Sequence, residues 1–433
     1  MAAPLNLTHK LLHLHLREDT LAPGEDIRLA VDQVLIKDAT GSMTALQFEA
    51  LGADRIAVPL AVMYVDHNVL QIDDKNMDEH RYLQSFSARY GLHYSRPGNG
   101  ISHYVHLERF ARPEQVLVGA DSHSTMAGAV GMLAVGAGGL DVAVAMAGYD
   151  FWLQCPEVVG VELRGALPPW VQSKDIILEL LRRCGVRGGR GKIFEFWGDG
   201  VATLSVTERG TICNMITETG ATGAVFPSDE RVHEWLVAQE RDDQFVPLHA
   251  DPGAAYDMDE VLDLQTLDPL IATPSSPGNV VPVRAVTGTP VVQVCVGSSV
   301  NSSYGDLATV AAMLRNNVVH PAIEMTVTPG SRQILDMIAR GGVYGDLVAA
   351  GARMLEAVCG PVRGRGASAI GGAAVGAHLQ PQFSRSQRHA RRSGVFVLAG
   401  HSRCHGAARR DHRPTRCGRS TDDHGARRQP CHR

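Results

Sequence analysis

Four apolar stretches of this sequence end in short loops that carry side chains able to do chemistry. They are Asp66-His67 in YVDHNV, His103 in GNGISHYVH, Asp121-Ser122-His123 in GADSHST, and Asn214 with Glu218 in TICNMITETGAT. A carboxylate beside an imidazole orients the ring and stabilises its cationic form, which gives an acid or an anion-binding group. Any one of these histidines, taken alone, is more simply a buried structural residue. Three such loops after apolar strands favour one shared site.

Two segments farther along the chain carry polar and thiol groups. VCVGSSVNSSYGDL places serines and asparagines, among them Ser299 and Asn301, directly after an apolar strand. A ligand-facing turn and a capping cluster at a helix start both explain such a segment. Cys359 precedes Gly360-Pro361, a turn that would present its thiol. One thiolate rarely holds a metal alone, so a metal site here needs a second cysteine.

The elements that must position these loops alternate between strands and helices, which predicts an α/β fold with parallel sheets. Sites in such sheets lie at the carboxyl ends of the strands, where the reactive loops fall. We predict three α/β units and a tail, over residues 1–166, 167–267, 268–361 and 362–433. The Gly/Ala-rich text TMAGAVGMLAVGAGGLDVAVAMAG is typical of a helix, and Ser173 is the expected N-cap of an amphipathic helix. Asn214 and Glu218 share one face if their stretch is helical.

Composition places the chain among globular proteins. Its 433 residues suffice for two or three cores, and 44% of them are hydrophobic and 20% charged. The N-terminal text contains charges throughout, unlike a signal peptide, and no uncharged apolar run approaches the length of a membrane span. We therefore expect a cytoplasmic protein whose eight cysteines are thiols or metal ligands rather than disulfides.

The segment 362–433 has a composition of its own. It contains 15 arginines, 7 histidines and 3 aspartates, with no lysine and no glutamate, which gives it a net charge of +12. The rest of the chain then carries −17 of the total −5. An arginine-rich arm can bind nucleic-acid phosphates, but here only Phe383 and Phe396 supply aromatic rings. We expect no nucleic-acid partner and a tail without a packed core.

Beyond these local patterns, a series of motifs resembles the aconitase family, and most closely its bacterial single-chain aconitate hydratases. In chain order the motifs are DATGSMTALQFEALG, VDHN, RPGNGISHYVHLERFA, GADSHSTMAGAVGMLAVGAGGLDVAVAMAG, TICNMITETGATGAVFPSDE, NSSYGDL and CGP. The resemblance covers the chain from its first residue to about residue 361. NSSY and GGLDVAVAMAG are more similar to aconitases than to the large subunits of isopropylmalate dehydratases, which typically read N-G-R.

The resemblance implies three α/β/α domains around a [4Fe-4S] cluster, with a fourth, swivelling domain missing from this chain. In the family, three cysteines hold the cluster, one from G-S-C-T-N and two from C-G-P-C, and the open iron acts as a Lewis acid on the substrate. The family's roles carry over to the matching positions, with Glu218 expected to pair with His123. The implied catalytic residues are Asp66, His67, His103, Asp121, His123 and Glu218, and the implied substrate- or cluster-facing residues are Ser122, Asn214 and Asn301.

Two positions depart from the family pattern. Ser299 stands where G-S-C-T-N has its cysteine, and a serine oxygen is a harder and far less acidic donor than a thiolate. The C-G-P-C motif stops after Cys359, because Val362 follows Gly360-Pro361. Cys359 is therefore the one cysteine that remains of the expected three, and the ligand set for a cluster is incomplete as written.

A change of reading frame accounts for the second departure. Permissible codons from Val362 onward can be written so that removing one base yields C-V-G-V-G-Q-A-P-S-G-G, which restores C-G-P-C and the family's G-Q-A-P-S-G-G. The same shift turns VGAHLQPQFSRSQRHARR into text compatible with the family's arginine-bearing N-R-N-F-x-G-R turn. We interpret residues 362–433 as the right gene read in the wrong frame. The alternative is a genuine basic tail.

Together these patterns predict an aconitate hydratase-type hydro-lyase that interconverts citrate and isocitrate through cis-aconitate and that is inactive as written. One alternative is the large subunit of a 3-isopropylmalate or homoaconitate-type dehydratase, whose length 433 residues would match. Another is a non-catalytic fragment. We expect a small tricarboxylic acid as the substrate, no membrane association and a monomeric protein.

Overall fold

The computed structural model describes residues 3–71 and 73–359, together with the backbone of two short strands at 375–376 and 407–408. In this part of the chain, three parallel sheets are flanked by helices, so the predicted α/β class is confirmed. No helix among these residues is long and apolar enough to cross a membrane. The prediction of an unpacked tail concerns residues 362–433, which lie outside the described residues apart from those two strands.

The elements are numbered in chain order. The strands are β1 Asp26–Leu29, β2 Gln33–Lys37, β3 Leu60–Tyr64, β4 His93–Ser95, β5 Val116–Gly119, β6 Leu133–Gly136, β7 Phe151–Gln154, β8 Glu157–Arg164, β9 Lys192–Trp197, β10 Gly223–Val225, β11 Met258–Asp263, β12 Leu270–Ala272, β13 Val280–Pro282, β14 Gln293–Val296, β15 Val318–Val319, β16 Glu324–Val327, β17 Arg353–Met354, β18 Val375–Gly376 and β19 Ala407–Ala408. The α-helices are α1 Leu7–His15, α2 Asp38–Ala50, α3 Asp74–Tyr90, α4 Ser102–Arg109, α5 Gly139–Met146, α6 Ser173–Cys184, α7 Val206–Met215, α8 Glu230–Ala238, α9 Tyr304–Leu314, α10 Arg332–Arg340 and α11 Val343–Ala349.

The first sheet has the strand order β4-β3-β2-β5-β6, with every neighbouring pair parallel. β2 lies at its centre, and all five of its residues are buried. Helices α2 and α3 pack on one another through an aromatic group in which Phe48 meets Phe86 and Tyr90 edge-on. Because the strands run parallel, the loops that follow β2, β3 and β5 emerge at the same edge of the sheet.

The Gly/Ala-rich text that the sequence suggested as one helix forms three elements, so that prediction is wrong. A 3₁₀ segment, Ser122–Val130, is followed by β6 and then by α5. Gly131 separates the first two with a left-handed φ of 78°, which interrupts helical geometry. The small residues serve close packing, since a Cβ added at Gly128 would lie 1.9 Å from the carbonyl oxygen of Ala224.

The second sheet has the order β10-β9-β8-β11, and the third has the order β17-β16-β14-β18. Membership of these sheets differs from the predicted unit boundaries. β8 pairs with β9 on one side and β11 on the other, so it belongs to the second sheet although the division at residue 166 puts it in the first unit. The hairpin β12–β13 buries Leu270 and Val280 in the same core as α6, so the second unit also extends beyond residue 267.

Helix α6 begins one residue earlier than the predicted cap at Ser173 would place it. Gln172 is the N-cap and Ser173 is the first helical residue. Gln172 and Asp175 form a reciprocal capping box, and Asp175 also accepts a hydrogen bond from the Leu270 amide at 2.8 Å. The carboxylate of Asp175 thereby ties the start of α6 to β12.

The first and third units contact each other through buried polar bonds. The Ser302 amide donates to the Tyr104 hydroxyl at 2.9 Å, and the Ser331 hydroxyl donates to Glu108 at 2.6 Å. The Ile101 amide donates to the carbonyl of Gly330 at 2.9 Å. These bonds fix the loops that follow β14 and β16 against α4, beside the reactive edge of the first sheet.

Candidate active site

Three adjacent strands of the first sheet deliver the reactive groups. Asp66-His67 follow β3, Lys37 ends β2, and Asp121 follows β5. Since β2 lies between β3 and β5, the Lys37 side chain emerges between the two loops. All of these residues are buried, so the groups share an interior site at the sheet's carboxyl edge.

Asp66 and His67 form a tight pair. The Nδ1 of His67 lies 2.6 Å from Asp66 Oδ1, while Asp66 Oδ2 accepts the Ser102 amide at 2.7 Å. Burial alone would raise the pKa of Asp66, but His67, the charge of Lys37 and the Ser102 amide together lower it below its usual range. Asp66 is therefore an ionised acceptor, and the proton between the pair belongs to Nδ1 of His67.

Asp38, which the sequence analysis did not identify as a site residue, holds the backbone of this pair in place. Its carboxylate accepts the amides of His67 at 3.0 Å and of Asn68 at 2.6 Å. Burial and the neighbouring charge of Asp66 raise the pKa of Asp38 to about 7, against the lowering effect of the backbone donors. Ligand atoms of Asp38, Asp66 and His67 lie within 4.8 Å of one another, but the Asp38 carboxylate is already occupied by backbone donors.

Lys37 was also missed, and it joins the two halves of the site. Its ammonium forms an ion pair with Asp121 and lies 3.3 Å from Nε2 of His67. The signal that identified the other loops was present here too, because Lys37-Asp38 come directly after the apolar stretch of β2. Only the sheet order shows that this strand lies between the other two.

The second half of the site is centred on Asp121. Its Oδ1 lies 3.3 Å from Nε2 of His103 and 3.5 Å from Nδ1 of His123, and it accepts the His123 amide at 2.7 Å. Nε2 of His123 lies 3.4 Å from Glu218, the pair that the resemblance implied. The hydroxyl of Ser122 lies 3.1 Å from Nδ1 of His123. Burial, followed by the charge of Lys37, lowers the pKa of His103 well below 6.5, so this ring is neutral at physiological pH.

Asn214 and Glu218 lie on helical chain, but not on one continuous α-helix. α7 ends at Met215, and a 3₁₀ segment, Ile216–Thr219, carries Glu218. The Asn214 side chain donates to the carbonyl of Ser299 at 3.1 Å, whereas Glu218 faces His123. Asn214 thus connects the second unit to the loop after β14.

In the loop after β14, a capping function is present. Ser303 is the N-cap of α9 and forms a capping box with Asp306. The Asn301 side chain donates to Asp306 at 3.2 Å, and Asn301 adopts a left-handed φ of 54°. Ser299 is fully buried and lies in this loop at the point that Asn214 reaches.

Cys359 lies against the same site. Its amide donates to the carbonyl of Asp66 at 2.8 Å, and its Sγ lies 3.7 Å from the Ser298 hydroxyl. Two other cysteines make contacts away from this site. The Sγ of Cys213 lies 3.8 Å from the Ala224 carbonyl oxygen, and Cys295 lies opposite Thr326 within the third sheet. In residues 3–71 and 73–359, no cysteine belongs to a group of three residues placed to hold a metal.

Three polar atoms of the site have no hydrogen-bond partner within the described part of the chain, although they are buried. They are Nδ1 of His103, Oδ1 of Asn214 and Oδ1 of Asn301. Buried polar groups are nearly always satisfied in native proteins, so these atoms indicate a polar ligand or water in the site. His106 shows the opposite case, because Tyr64 and Gln33 satisfy both of its ring nitrogens at 2.9 Å, and it is a structural residue.

The geometry defines an α/β protein with a buried acid–histidine–lysine cluster beside a cysteine, at the carboxyl edge of a parallel sheet. The sequence matches the Aconitase family (aconitate hydratase) over residues 9–375. The chain belongs to the aconitase family.

Curated relatives carry several hydro-lyase names. The chain is 36% identical over 394 residues to mitochondrial aconitate hydratase of Schizosaccharomyces pombe, covering 84% of this chain and 50% of the relative. It is 35% identical over 360 residues to 3-isopropylmalate dehydratase large subunit 2 of Rubrobacter xylanophilus, covering 82% and 85%. It is 33% identical over 404 residues to mitochondrial homocitrate dehydratase of Saccharomyces cerevisiae, covering 84% and 51%. The chain spans about half the length of the aconitate hydratases that it matches.

Proposed function

We propose that the clustered side chains form the acid–base half of a hydro-lyase site that removes water from, and returns it to, a citrate-like tricarboxylic acid. The single observation that carries this proposal is the convergence of the loops after β2, β3 and β5 in one buried cluster with Lys37 between them. Family membership supports the reaction class, since relatives are named as hydratases and dehydratases.

The residues divide into groups with different proton affinities, as a dehydration requires. Dehydration and its reversal need a group that accepts and returns a proton, and His67, oriented by Asp66, is the candidate. His103 is held neutral and can donate or accept a hydrogen bond without adding charge. His123, backed by Glu218, faces Asp121 from the other side. Ser122, Asn214 and Asn301 are the proposed substrate-facing polar groups.

Members of this family generally bind a [4Fe-4S] cluster, which supplies a Lewis acid for the substrate hydroxyl. The residues of this chain do not fit that group as written. Cys359 is the one thiol beside the loop of Ser299 among the described residues, and the sequence continues with Val362 where the family has a cysteine. A serine oxygen is a harder and far less acidic donor than a thiolate, and it is therefore a poor ligand for such a cluster. We therefore propose that this exact chain does not hold the cluster.

A shifted reading frame after Pro361 is the proposed cause of the missing cysteine. The abrupt change to lysine-free, arginine-rich text after Pro361 supports it. Sequencing the gene across codons 355–370 tests it directly. We also propose a cytoplasmic location, a monomeric state and a tricarboxylic acid substrate for this protein.

A second candidate is the large subunit of a 3-isopropylmalate-type dehydratase. The observation in its favour is sequence identity, because the chain is 35% identical to that relative over 360 residues and 36% identical to an aconitate hydratase over 394 residues.

A panel of acids separates the candidates. We would express the written chain, a frame-restored form, and a frame-restored form with Ser299→Cys, reconstitute each with iron and sulfide without oxygen, and follow hydration of cis-aconitate and dehydration of citrate, 3-isopropylmalate and homocitrate. We expect turnover of cis-aconitate by the restored Ser299→Cys form and none by the written chain. Turnover of 3-isopropylmalate alone would favour the second candidate. No turnover by any form would favour a non-catalytic fragment, and full turnover by the written chain would refute the proposal about the cluster.

A further inference from the structure

Lys37 is a buried charge at the carboxyl edge of the first sheet. Its side chain is only 10% exposed, at the end of the central strand β2. It is the N-cap residue of α2 but makes no side-chain capping bond there. Burying an ammonium is costly, and an apolar side chain of similar size is often equally stable in such a place. We therefore infer that Lys37 is retained for its contacts with the residues of the site.

The ammonium reaches across the sheet edge to both halves of the site. It pairs with Asp121 on the β5 side and lies 3.3 Å from Nε2 of His67 on the β3 side. An ammonium has only donors, so the ring nitrogen that faces it must be the acceptor. On the far side of the ring, Nδ1 lies 2.6 Å from the ionised Asp66 and must carry the proton. The two contacts require the same arrangement of the imidazole.

We propose that Lys37 is a positioning residue that fixes His67 as the neutral Nδ1–H tautomer and holds Asp121 between His103 and His123. The role of these histidines in a hydro-lyase reaction rests on the proposed function, but their arrangement does not. Without the ammonium, Nε2 of His67 would lose the donor that Lys37 supplies, and Asp121 would face His103 and His123 without the charge of Lys37.

The other groups around His67 do not substitute for Lys37. Asp66 and Asp38 both lie on the Nδ1 side, at 2.6 Å and 3.8 Å. His103 is itself held neutral by its burial and by Lys37. The ammonium is the cation that the structure places next to Nε2 of His67, at 3.3 Å. The tautomer should depend on it.

Nitrogen NMR of histidine-labelled protein tests the proposal without substrate. The His67 signals are assigned by their loss in His67→Gln, and ring nitrogens with and without a proton are distinguished by chemical shift at pH 7. We expect one protonated and one unprotonated nitrogen for His67 in the wild type, and a change at Nε2 in Lys37→Met. Lys37→Arg, which keeps a donor, should restore the wild-type pattern at least in part. Lys174→Met removes another buried lysine and should leave His67 unchanged.

The outcomes separate a positioning role from a structural one. Unchanged His67 signals in Lys37→Met would overturn the proposal. If Lys37→Met fails to fold, Lys37→Ala, which also lacks a donor, is measured instead, and a wild-type pattern there would likewise overturn the proposal and leave Lys37 as a structural residue. A changed tautomer with an unchanged melting temperature supports it. Absence of hydro-lyase turnover would count against the proposed function and leave this result standing.

Discussion

Replacing Glu108 by glutamine should change how the stability of the protein depends on pH. Glu108 lies in α4, is only 3% exposed, and accepts the Ser331 hydroxyl at 2.6 Å across the contact between the first and third units. Burial raises its pKa from 4.5 to about 7, against the lowering effects of the Ser331 hydrogen bond and the charge of Arg109.

The direction in which the free energy of unfolding changes with pH follows from the number of protons bound by the folded and unfolded chains. Between pH 4.5 and 7 the folded protein keeps the Glu108 proton that the unfolded chain releases, so the free energy of unfolding falls as pH rises through this range. Each pH unit is worth about 1.4 kcal/mol, which gives a loss of about 3 kcal/mol that is complete above pH 7. Glutamine has the same shape, still accepts from Ser331 and has no proton to lose.

Urea denaturation of wild type and Glu108→Gln at several pH values from 5 to 8 measures the effect. We expect the variant to gain up to about 3 kcal/mol relative to wild type between pH 5 and pH 8. Glu234→Gln, at a surface carboxylate that is 56% exposed, is the matched control and should run parallel to wild type. Parallel curves for Glu108→Gln would refute the reasoning, since they would mean that Glu108 ionises in the folded protein as readily as in the unfolded chain.

Two further substitutions test the second and third units. Arg209 is fully buried and pairs with both carboxylate oxygens of Asp229, at 2.7 and 2.8 Å. Arg209→Met should therefore lower the free energy of unfolding, measured by urea denaturation, by about 3 kcal/mol. The control Arg340→Met, at an exposed ion pair, should lower it by less than about 1 kcal/mol, and equal losses would contradict the prediction. Gly297 has a φ of 81°, and an added Cβ would lie 2.2 Å from the Thr328 carbonyl oxygen. Gly297→Ala should therefore lower the free energy of unfolding by about 2 kcal/mol or more and disturb the loop that contains Ser299. A melting temperature equal to that of the wild type would contradict this prediction and show that the loop can shift.

Local sequence patterns predicted the fold class and the loops that meet in the site. Asp66-His67 and Asp121 were found because reactive residues after apolar strands lie at one edge of a parallel sheet. Lys37 and Asp38 carried the same signal but lacked a histidine partner in sequence, and only the order β3-β2-β5 shows that Lys37 lies between the two halves. That order is set by long-range pairing, which no local pattern records.

The errors have physical causes of the same kind. The Gly/Ala-rich text around Gly131 has the composition of a packed helix, but a left-handed glycine and a buried strand divide it. β8 was placed in the first unit because it follows β7 directly in sequence, whereas its partners, β9 and β11, lie beyond the predicted boundary at residue 166. The serine and asparagine loop after β14 was ambiguous between capping and binding, and the structure shows capping by Ser303 together with an unsatisfied Asn301 oxygen.

We propose that this chain has the buried acid–base side chains of a hydro-lyase site. We also propose that, as written, it lacks the thiolates needed to hold a [4Fe-4S] cluster. Iron and sulfide content after oxygen-free reconstitution, measured on the written chain and on the frame-restored Ser299→Cys form, tests it most directly. We expect about four irons per chain in the restored form, with the visible absorption of a [4Fe-4S] cluster, and no stoichiometric iron in the written chain. Four tightly held irons in the written chain, with Cys359 as the one thiol at the site among the described residues, would contradict the account.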